Sequence, residues 1–408
     1  MTNRQKAIKI IRRLHKAGYE ALLAGGCVRD MLLCRAAKDY DVATSAQPED
    51  VIRLFKRTLK VGAKFGVVIV LLDGVQVEVA TFRREAGYAD GRHPGSVEFS
   101  DASEDASRRD FTINGMFYDP VEKKVLDYVG GQKDLDKRIL RTIGDPQERF
   151  SEDYLRMLRA VRFSTQLGFK IEPESFAAIC ANAKKITKIS SERIQMELES
   201  ILVNPNRSTG MTLLIQSGLA EQLFPGMSPK QMDFAVKALG YLRKKIDFAL
   251  SAATLFADCE TGFAMEKCRL LKLSRSQNKH IKFLLSKRGT LLNEDMSLAQ
   301  LKMLLAEPYF GDLFELQRAI QKANVGGRRS IAKLVSLKRR IKELGDVELK
   351  PVPILNGSEL MRLGIASGPT LGQLAQEMYI AQLEGLLQNK EQAEQWVKKW
   401  LQRHKEIL

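Results

Sequence analysis

Leu22-Leu23-Ala24-Gly25-Gly26-Cys27-Val28-Arg29-Asp30, followed a little further on by Lys38-Asp39-Tyr40-Asp41-Val42-Ala43-Thr44, decides the reading of this chain. An apolar run, two glycines and a second apolar run describe a strand that turns sharply into a helix. Glycines at such a turn let backbone N–H groups approach a phosphate, and Arg29 would clamp one of its oxygens. Taken alone, a plain tight turn explains the Gly25-Gly26 pair as well. In the second segment Asp39 and Asp41 stand at i and i+2, which on a strand places both carboxylates on one side. Like charges so close repel unless a cation lies between them, and hard oxygen ligands suit Mg2+. The alternative is an ordinary polar surface strand.

Working outward, Val67 to Leu72 reads as a buried strand and Asp73-Gly74 as a hairpin turn. Val75 to Ala80 then alternates with period two, the valines on one face and Gln76, Glu78 and Ala80 on the other. Glu78 is therefore a candidate third carboxylate beside Asp39 and Asp41. Helices are expected at Arg4 to Ala17 and Pro48 to Lys60. No GxxxxGK[ST] is present, which excludes a P-loop enzyme.

After Pro146 helical periodicity takes over. Candidate helices are Glu152 to Leu167, Ser191 to Val203, Thr212 to Leu223, Pro229 to Lys245, Arg275 to Leu285, Leu298 to Leu305 and Glu391 to Arg403. Turns are expected around Pro351 to Gly372.

The composition is consistent with a nucleic-acid partner. The 408 residues carry 65 Lys+Arg against 49 Asp+Glu, a formal net charge of +16, which points to a polyanionic partner. A basic but merely solvated surface is the competing reading. The excess is concentrated: residues 261–340 hold 17 Lys+Arg and 6 Asp+Glu. Arg328, Arg329, Lys333, Lys338 and Arg339 lie within one stretch of it and are candidates for contacting an RNA backbone. No apolar run reaches the roughly 18 residues of a membrane span, so no membrane association is expected. The first residues lack the apolar core of a signal peptide, and five scattered cysteines without a CxxC suggest reduced thiols, so a cytoplasmic location is expected.

More blocks follow in order: Val79-Ala80-Thr81-Phe82-Arg83, Arg108-Arg109-Asp110-Phe111-Thr112-Ile113-Asn114, Asp127-Tyr128-Val129-Gly130-Gly131 with Asp134-Leu135, Glu152-Asp153-Tyr154-Leu155-Arg156, and Arg159 to Phe163. With the Gly-Gly turn and the paired aspartates, these resemble the class II tRNA nucleotidyltransferases, the family that also contains bacterial poly(A) polymerases. The resemblance is dense over residues 20–230 and returns at Ile354-Leu355-Asn356-Gly357, Leu363-Gly364 and Gly368-Pro369.

The resemblance implies an α+β fold: a polymerase-β-like nucleotidyltransferase head with a small mixed sheet, followed by an all-helical neck, body and tail. The expected boundaries are 1–145, 146–210, 211–345 and 346–408. It implies addition of C, C and A to the 3′ end of tRNA from CTP and ATP, with Mg2+ held by Asp39 and Asp41. No DNA partner is expected. Gly25, Gly26, Arg29, Arg109, Asp110 and Asn114 would bind the nucleotide, with Asp110 accepting from its 2′-OH; a helix cap is the plainer reading of Asp110 alone. Asp153 and Arg156, i and i+3 on a helix, would select the base, and Arg159 and Arg162 would serve the triphosphate. Ion pairs on a helix surface are the competing reading of all four.

The physics supports the selection. A carboxylate only accepts hydrogen bonds and a guanidinium only donates. Cytosine (N4 amine, N3) and adenine (N6 amine, N1) both match such a pair, whereas uracil and guanine set a carbonyl against the carboxylate. Tyr88, Asp90 and Arg92 fall in a segment resembling the flexible loop of CCA-adding members, which disfavours addition of CC alone. Ala63, where poly(A) polymerases usually have a basic residue, favours the tRNA enzyme. An A-only enzyme, a poly(A) polymerase and a catalytically inactive RNA-binding protein remain alternatives.

Overall fold

The computed structural model describes all residues except 61–65, 87–95, 325 and 405–408. Tyr88, Asp90, Arg92 and Ala63 therefore lie outside the described residues. Two compact units are present, one of residues 1–236 with 266–273, the other of residues 237–265 with 274–408.

The first unit opens with α1 (Asn3–Lys16), started by a Thr2/Gln5 capping box. Ala7, Ile10, Ile11 and Leu14, spaced i, i+3, i+4, i+7, are fully buried along one stripe. Next come β1 (Ala21–Ala24), α2 (Gly26–Leu32), β2 (Asp41–Thr44), α3 (Pro48–Leu54), β3 (Thr58–Leu59), β4 (Val67–Leu72) and β5 (Val75–Thr81). Asp73 and Gly74 both take positive φ, 48° and 78°, as the type I′ turn of the expected hairpin requires. The strands β6 (Arg83–Ala86) and β7 (Ser96–Phe99) pair separately. They are followed by α4 (Ala102–Ser107), β8 (Phe117–Asp119) and β9 (Lys124–Leu126).

The main sheet has seven strands in the order β3-β4-β5-β2-β1-β8-β9. It is mixed, because β2 and β5 run parallel while their neighbours are antiparallel. The register does the positioning. Ala24 pairs with Asp41, and Val42 pairs with Val79, so Asp41 and Glu78 end up side by side on adjacent strands. Beneath, Leu22, Ala43, Phe82, Ala106 and Phe117 form one apolar cluster, with the Phe82 and Phe117 rings edge to face at 5.9 Å.

Helices complete this unit: α5 (Gly131–Lys137), α6 (Pro146–Glu152), α7 (Leu155–Leu167), α8 (Pro173–Asn182), α9 (Ser191–Leu202), α10 (Arg207–Gln216) and α11 (Leu219–Leu223), with the short strands β10 (Ile139–Leu140) and β11 (Lys170–Ile171) among them. Ile201, Leu202, Met211 and Leu214 are among their core residues.

Four expected helices end or divide differently. The helix from Pro48 stops at Leu54, because Phe55 turns extended and buried beneath Arg13, and Thr58-Leu59 pairs with β4. The helix expected at Glu152 to Leu167 is divided at Asp153, whose φ and ψ of −144° and 105° are extended. The one expected at Thr212 to Leu223 breaks at Gly218, which has φ 75°. The helix from Pro229, α12 (Pro229–Tyr241), ends four residues short of Lys245.

The second unit contains α13 (Phe248–Leu255), α14 (Thr261–Leu270, whose last residues belong to the first unit), α15 (Arg275–Lys287), α16 (Leu298–Leu305), α17 (Phe310–Ala323) and α18 (Arg328–Leu344). His280 of α15 stacks on Tyr309 at 4.0 Å, its two nitrogens facing Asp247 and Asp312 at 3.5 and 3.4 Å. Then follow α19 (Gly357–Arg362), α20 (Pro369–Leu383) and α21 (Lys390–Arg403), so a helix occupies part of the stretch expected as turns. Leu360, Leu374, Met378, Val397 and Trp400 form a core of their own. No helix among the described residues is long and apolar enough to cross a membrane.

Phe117 is fully buried under the sheet. Phe117→Ala is expected to cost about 3–5 kcal/mol, read as a lower urea midpoint for the first unit by tryptic protection of its peptides.

Candidate active site

The turn after β1 sets the floor of the site. Gly25 has φ 72°, and a Cβ built there would lie 2.9 Å from Arg109 Nη1. A side chain at this position would displace the guanidinium, so glycine serves both the backbone and its neighbour. The floor belongs to a cavity of about 440 Å3. Gly25, Gly26, Arg29, Asp41, Arg109, Asp110, Asn114, Asp153, Arg156 and Arg159 all line it. Ten residues proposed from sequence thus converge on one space.

Six arginines line the cavity (Arg29, Arg108, Arg109, Arg156, Arg159 and Arg193) against three carboxylates. That imbalance suits a polyphosphate. Each guanidinium is held by an oxygen acceptor. Buried Asp105 takes Arg108 at 2.7 Å and Arg109 at 2.9 Å. Although burial opposes its ionisation, these arginines hold its carboxyl below the ordinary range. Arg109 also lies over the Phe117 ring at 4.9 Å.

Asp110 has four bonds within the protein. Its Oδ2 accepts from Arg159 Nε and Nη2 at 2.9 and 2.5 Å, and its Oδ1 from the Phe111 and Asn114 nitrogens at 2.9 and 3.2 Å. Burial alone would raise its pKa, but Arg159 and Asn114 prevail and set it at about 2. Asn114 in turn accepts from Arg29 at 2.8 Å. Arg29, Asn114, Asp110 and Arg159 thus form one hydrogen-bonded chain around the cavity. With roughly four acceptor directions on a carboxylate, Asp110 is saturated by its own neighbours.

Asp153 and Arg156 both face the cavity, but not as neighbours on one helix. Asp153 occupies the extended break between α6 and α7. Its Oδ1 accepts from the Leu155 backbone at 3.0 Å, and its Oδ2 from Arg193 of α9 at 2.7 Å. Arg156 pairs instead with Glu152 and donates to the Arg149 carbonyl at 2.8 Å. The two side chains are held separately, by different elements. Arg149 itself donates to the carbonyls of Arg108 and Arg109. Asp105, Arg149, Glu152 and Arg193 were not proposed from sequence as site residues.

Asp41 stands at the start of β2, whereas Asp39 lies in the loop before it rather than on the strand. Loss of water around the Asp41 carboxyl, then the charges of Glu78 and Asp39, push its pKa up to about 6, with Arg109 pulling it down. Their oxygens are not all within 4.8 Å of one another, the spacing that Asp247, His280 and Asp312 achieve. The charges of Glu78 and Asp39 repel that of Asp41, and hard oxygen ligands of this kind suit a divalent cation that keeps part of its water, as Mg2+ does. Arg162 falls outside the cavity lining; it pairs with Glu197 at 3.1 Å and lies over Phe163 at 4.4 Å. Two steps of three residues from Arg156 rotate it away on α7.

Arg328, Arg329, Lys333, Lys338 and Arg339 lie in the second unit, on α18. Lys333 pairs with Glu294 at 2.9 Å, and Arg339 lies 3.7 Å from Glu343.

The family described as the poly A polymerase head domain matches residues 21–141, and that described as a probable RNA and SrmB-binding site of polymerase A matches residues 168–231. The CCA-adding enzyme of Lactobacillus johnsonii is 33% identical over 400 residues, covering 95% of each chain. The chain belongs to the CCA-adding enzyme family. A CCA-adding enzyme of a Geobacillus species is 48% identical over 216 residues, 53% of each chain. Among solved structures, the Bacillus stearothermophilus CCA-adding enzyme in complex with CTP superposes with a TM-score of 0.80 at 29% identity, covering 100% of both chains. The Thermotoga maritima CCA-adding enzyme complexed with tRNA shares the fold, with a TM-score of 0.70 at 21% identity. The polymerase-β-like head and helical remainder expected from sequence are those of this family.

The raised Asp41 pKa gives a pH prediction. A cation binding at Asp41 would have to displace the proton that its carboxyl carries below about pH 6. Mn2+ affinity, measured by electron paramagnetic resonance between pH 5 and 8, should therefore level off above about 6 and fall steadily below it. Glu78→Gln removes one repelling charge and should move the break to lower pH.

Proposed function

We propose that this CCA-adding enzyme works through the cavity described above, adding C, C and then A to the 3′ end of tRNA from CTP and ATP with release of pyrophosphate. The observation that carries the reading is the meeting, in one cavity, of Asp41, an arginine lining and the separately anchored Asp153 and Arg156, with Asp39 and Glu78 beside Asp41 but outside the lining. Asp39 and Asp41, with Glu78 beside them, would hold Mg2+. Bound there, Mg2+ would supply activation of the RNA 3′-OH and neutralisation of the departing pyrophosphate.

The protein's own side chains do the rest. Arg29, Arg109 and Arg159 face the triphosphate. Their positions are set in advance by Asn114, Asp105 and Asp110, so no reorganisation accompanies binding. Asp110, with its bonds occupied, acts on the sugar through Asn114 and Arg159. Arg162 has a structural part, tying α7 to α9 through Glu197. Gly25 and Gly26 open the floor to the phosphates.

Asp153 accepts from the exocyclic amine of cytosine or adenine, and Arg156 donates to the adjacent ring nitrogen. Uracil and guanine oppose a carbonyl to the carboxylate, leaving a desolvated acceptor pair that costs about 1–3 kcal/mol. No nucleic-acid template is needed.

In this reading residues 1–145 form the catalytic head, 146–210 the neck, 211–345 the body and 346–408 the tail. Tyr88, Asp90 and Arg92 would help the pocket pass from CTP to ATP. The cations of α18 would contact RNA phosphates, which favours shape over base sequence. The reaction would take place in the cytoplasm.

Asp39→Ala should abolish incorporation while tRNA still binds; substantial residual activity would remove the metal assignment. The product is settled by offering tRNA transcripts that end before CCA, after C and after CC, with CTP, ATP or both, and sizing the extensions. Full CCA addition predicts growth by CTP alone on the first two and one final A. An A-only enzyme would extend only the last, and a poly(A) polymerase would make long tails.

A further inference from the structure

Arg193 sits in the first turn of α9, three residues after the helix cap at Ser190. A cation there opposes the positive end of the helix dipole, so its placement calls for a local compensation. The compensation is Asp153. Arg193 Nη2 donates to Asp153 Oδ2 at 2.7 Å, and both side chains are largely shielded, 25% and 18% exposed. Arg193 also lines the cavity. Its second terminal nitrogen, Nη1, is buried and has no hydrogen-bond partner among the described residues.

The Asp153 carboxylate is mounted on two elements. The Leu155 backbone N–H fixes Oδ1 at 3.0 Å, and Arg193 fixes Oδ2. The first bond belongs to the start of α7 and positions one oxygen only. A carboxylate held at one oxygen still turns about its terminal torsion, which is broad for aspartate. The second bond, reaching in from α9, stops that rotation. A planar guanidinium sets direction as well as charge, which an ammonium does not.

We infer that Arg193 is a positioning residue for base selection, locking the plane of the Asp153 carboxylate so that it accepts only where an exocyclic amine is presented. The inference rests on the reading of Asp153 as a base-recognising group. Without Arg193 the carboxylate swings, and a carbonyl-bearing base no longer has to meet an acceptor head-on. Uracil is the sharpest probe, because it matches cytosine in size and differs at the position that Asp153 reads.

The test compares CTP with UTP in single-nucleotide extension of a tRNA transcript lacking CCA. Wild type, Arg193→Gln, Arg193→Lys and Asp153→Ala are assayed, with separate kcat and KM. Arg193→Gln should lower the ratio of kcat/KM for CTP over UTP at least tenfold, and Arg193→Lys should restore it only in part. Asp153→Ala should lower the ratio at least as far. If Asp153→Ala degrades selection while Arg193→Gln slows both nucleotides equally or changes neither, the positioning role is overturned and the base-reading role of Asp153 stands. If Asp153→Ala leaves selection intact, both fall. Thermal melting of each variant separates a folding loss, which lowers both rates together, from the change in ratio.

Discussion

Crowding of positive charge is the constraint around which this site is built. Six guanidinium groups share one cavity and would drive one another outward if left alone. Carboxylates fix most of them: Asp105 takes two, Asp110 takes Arg159, Glu152 takes Arg156 and Asp153 takes Arg193. Arg29 leans on Asp30 and Asn114. Asp105, Asp110 and Glu152 therefore serve as anchors for the arginines that line the cavity. A substrate carrying several negative charges meets donors already in place.

The same economy explains the break between α6 and α7. A continuous helix would have set Asp153 and Arg156 one turn apart, close enough to neutralise each other. The extended Asp153 backbone parts them. Each is then secured by a third group, Arg193 on one side and Glu152 on the other, and both keep an edge toward the cavity. Pairing with each other would have consumed the hydrogen-bonding capacity that they now keep toward the cavity.

Much of this was legible in the sequence, for local reasons. The Gly25-Gly26 turn, the Asp73-Gly74 hairpin and the alternating valines of β5 are short-range signals, and the structure places them as read. Other features lacked such signals. Ser151-Glu152-Asp153-Tyr154-Leu155 contains no glycine or proline, so helical periodicity runs through the break unmarked. The short β3 depends on pairing with β4, a tertiary effect. Arg29, Arg108, Arg109 and Arg156 find a carboxylate within four residues, but Arg159 and Arg193 reach theirs 49 and 40 residues away, and spacing carries no trace of those two pairs. Asp39 lies two residues before the point where β2 begins to pair, so the i, i+2 rule of a strand does not reach it.

The floor of the cavity holds a consequence for how this protein can vary. The space that a side chain at Gly25 would need is already filled by the Arg109 guanidinium, which Asp105 and the Phe117 ring keep in place. Those four residues come from a strand-end turn, a helix, its trailing loop and the neighbouring strand β8, and they form a single interlocking joint. A change at any one of them is therefore felt at the other three, so the four act as one unit of the fold although they are written in four places of the sequence.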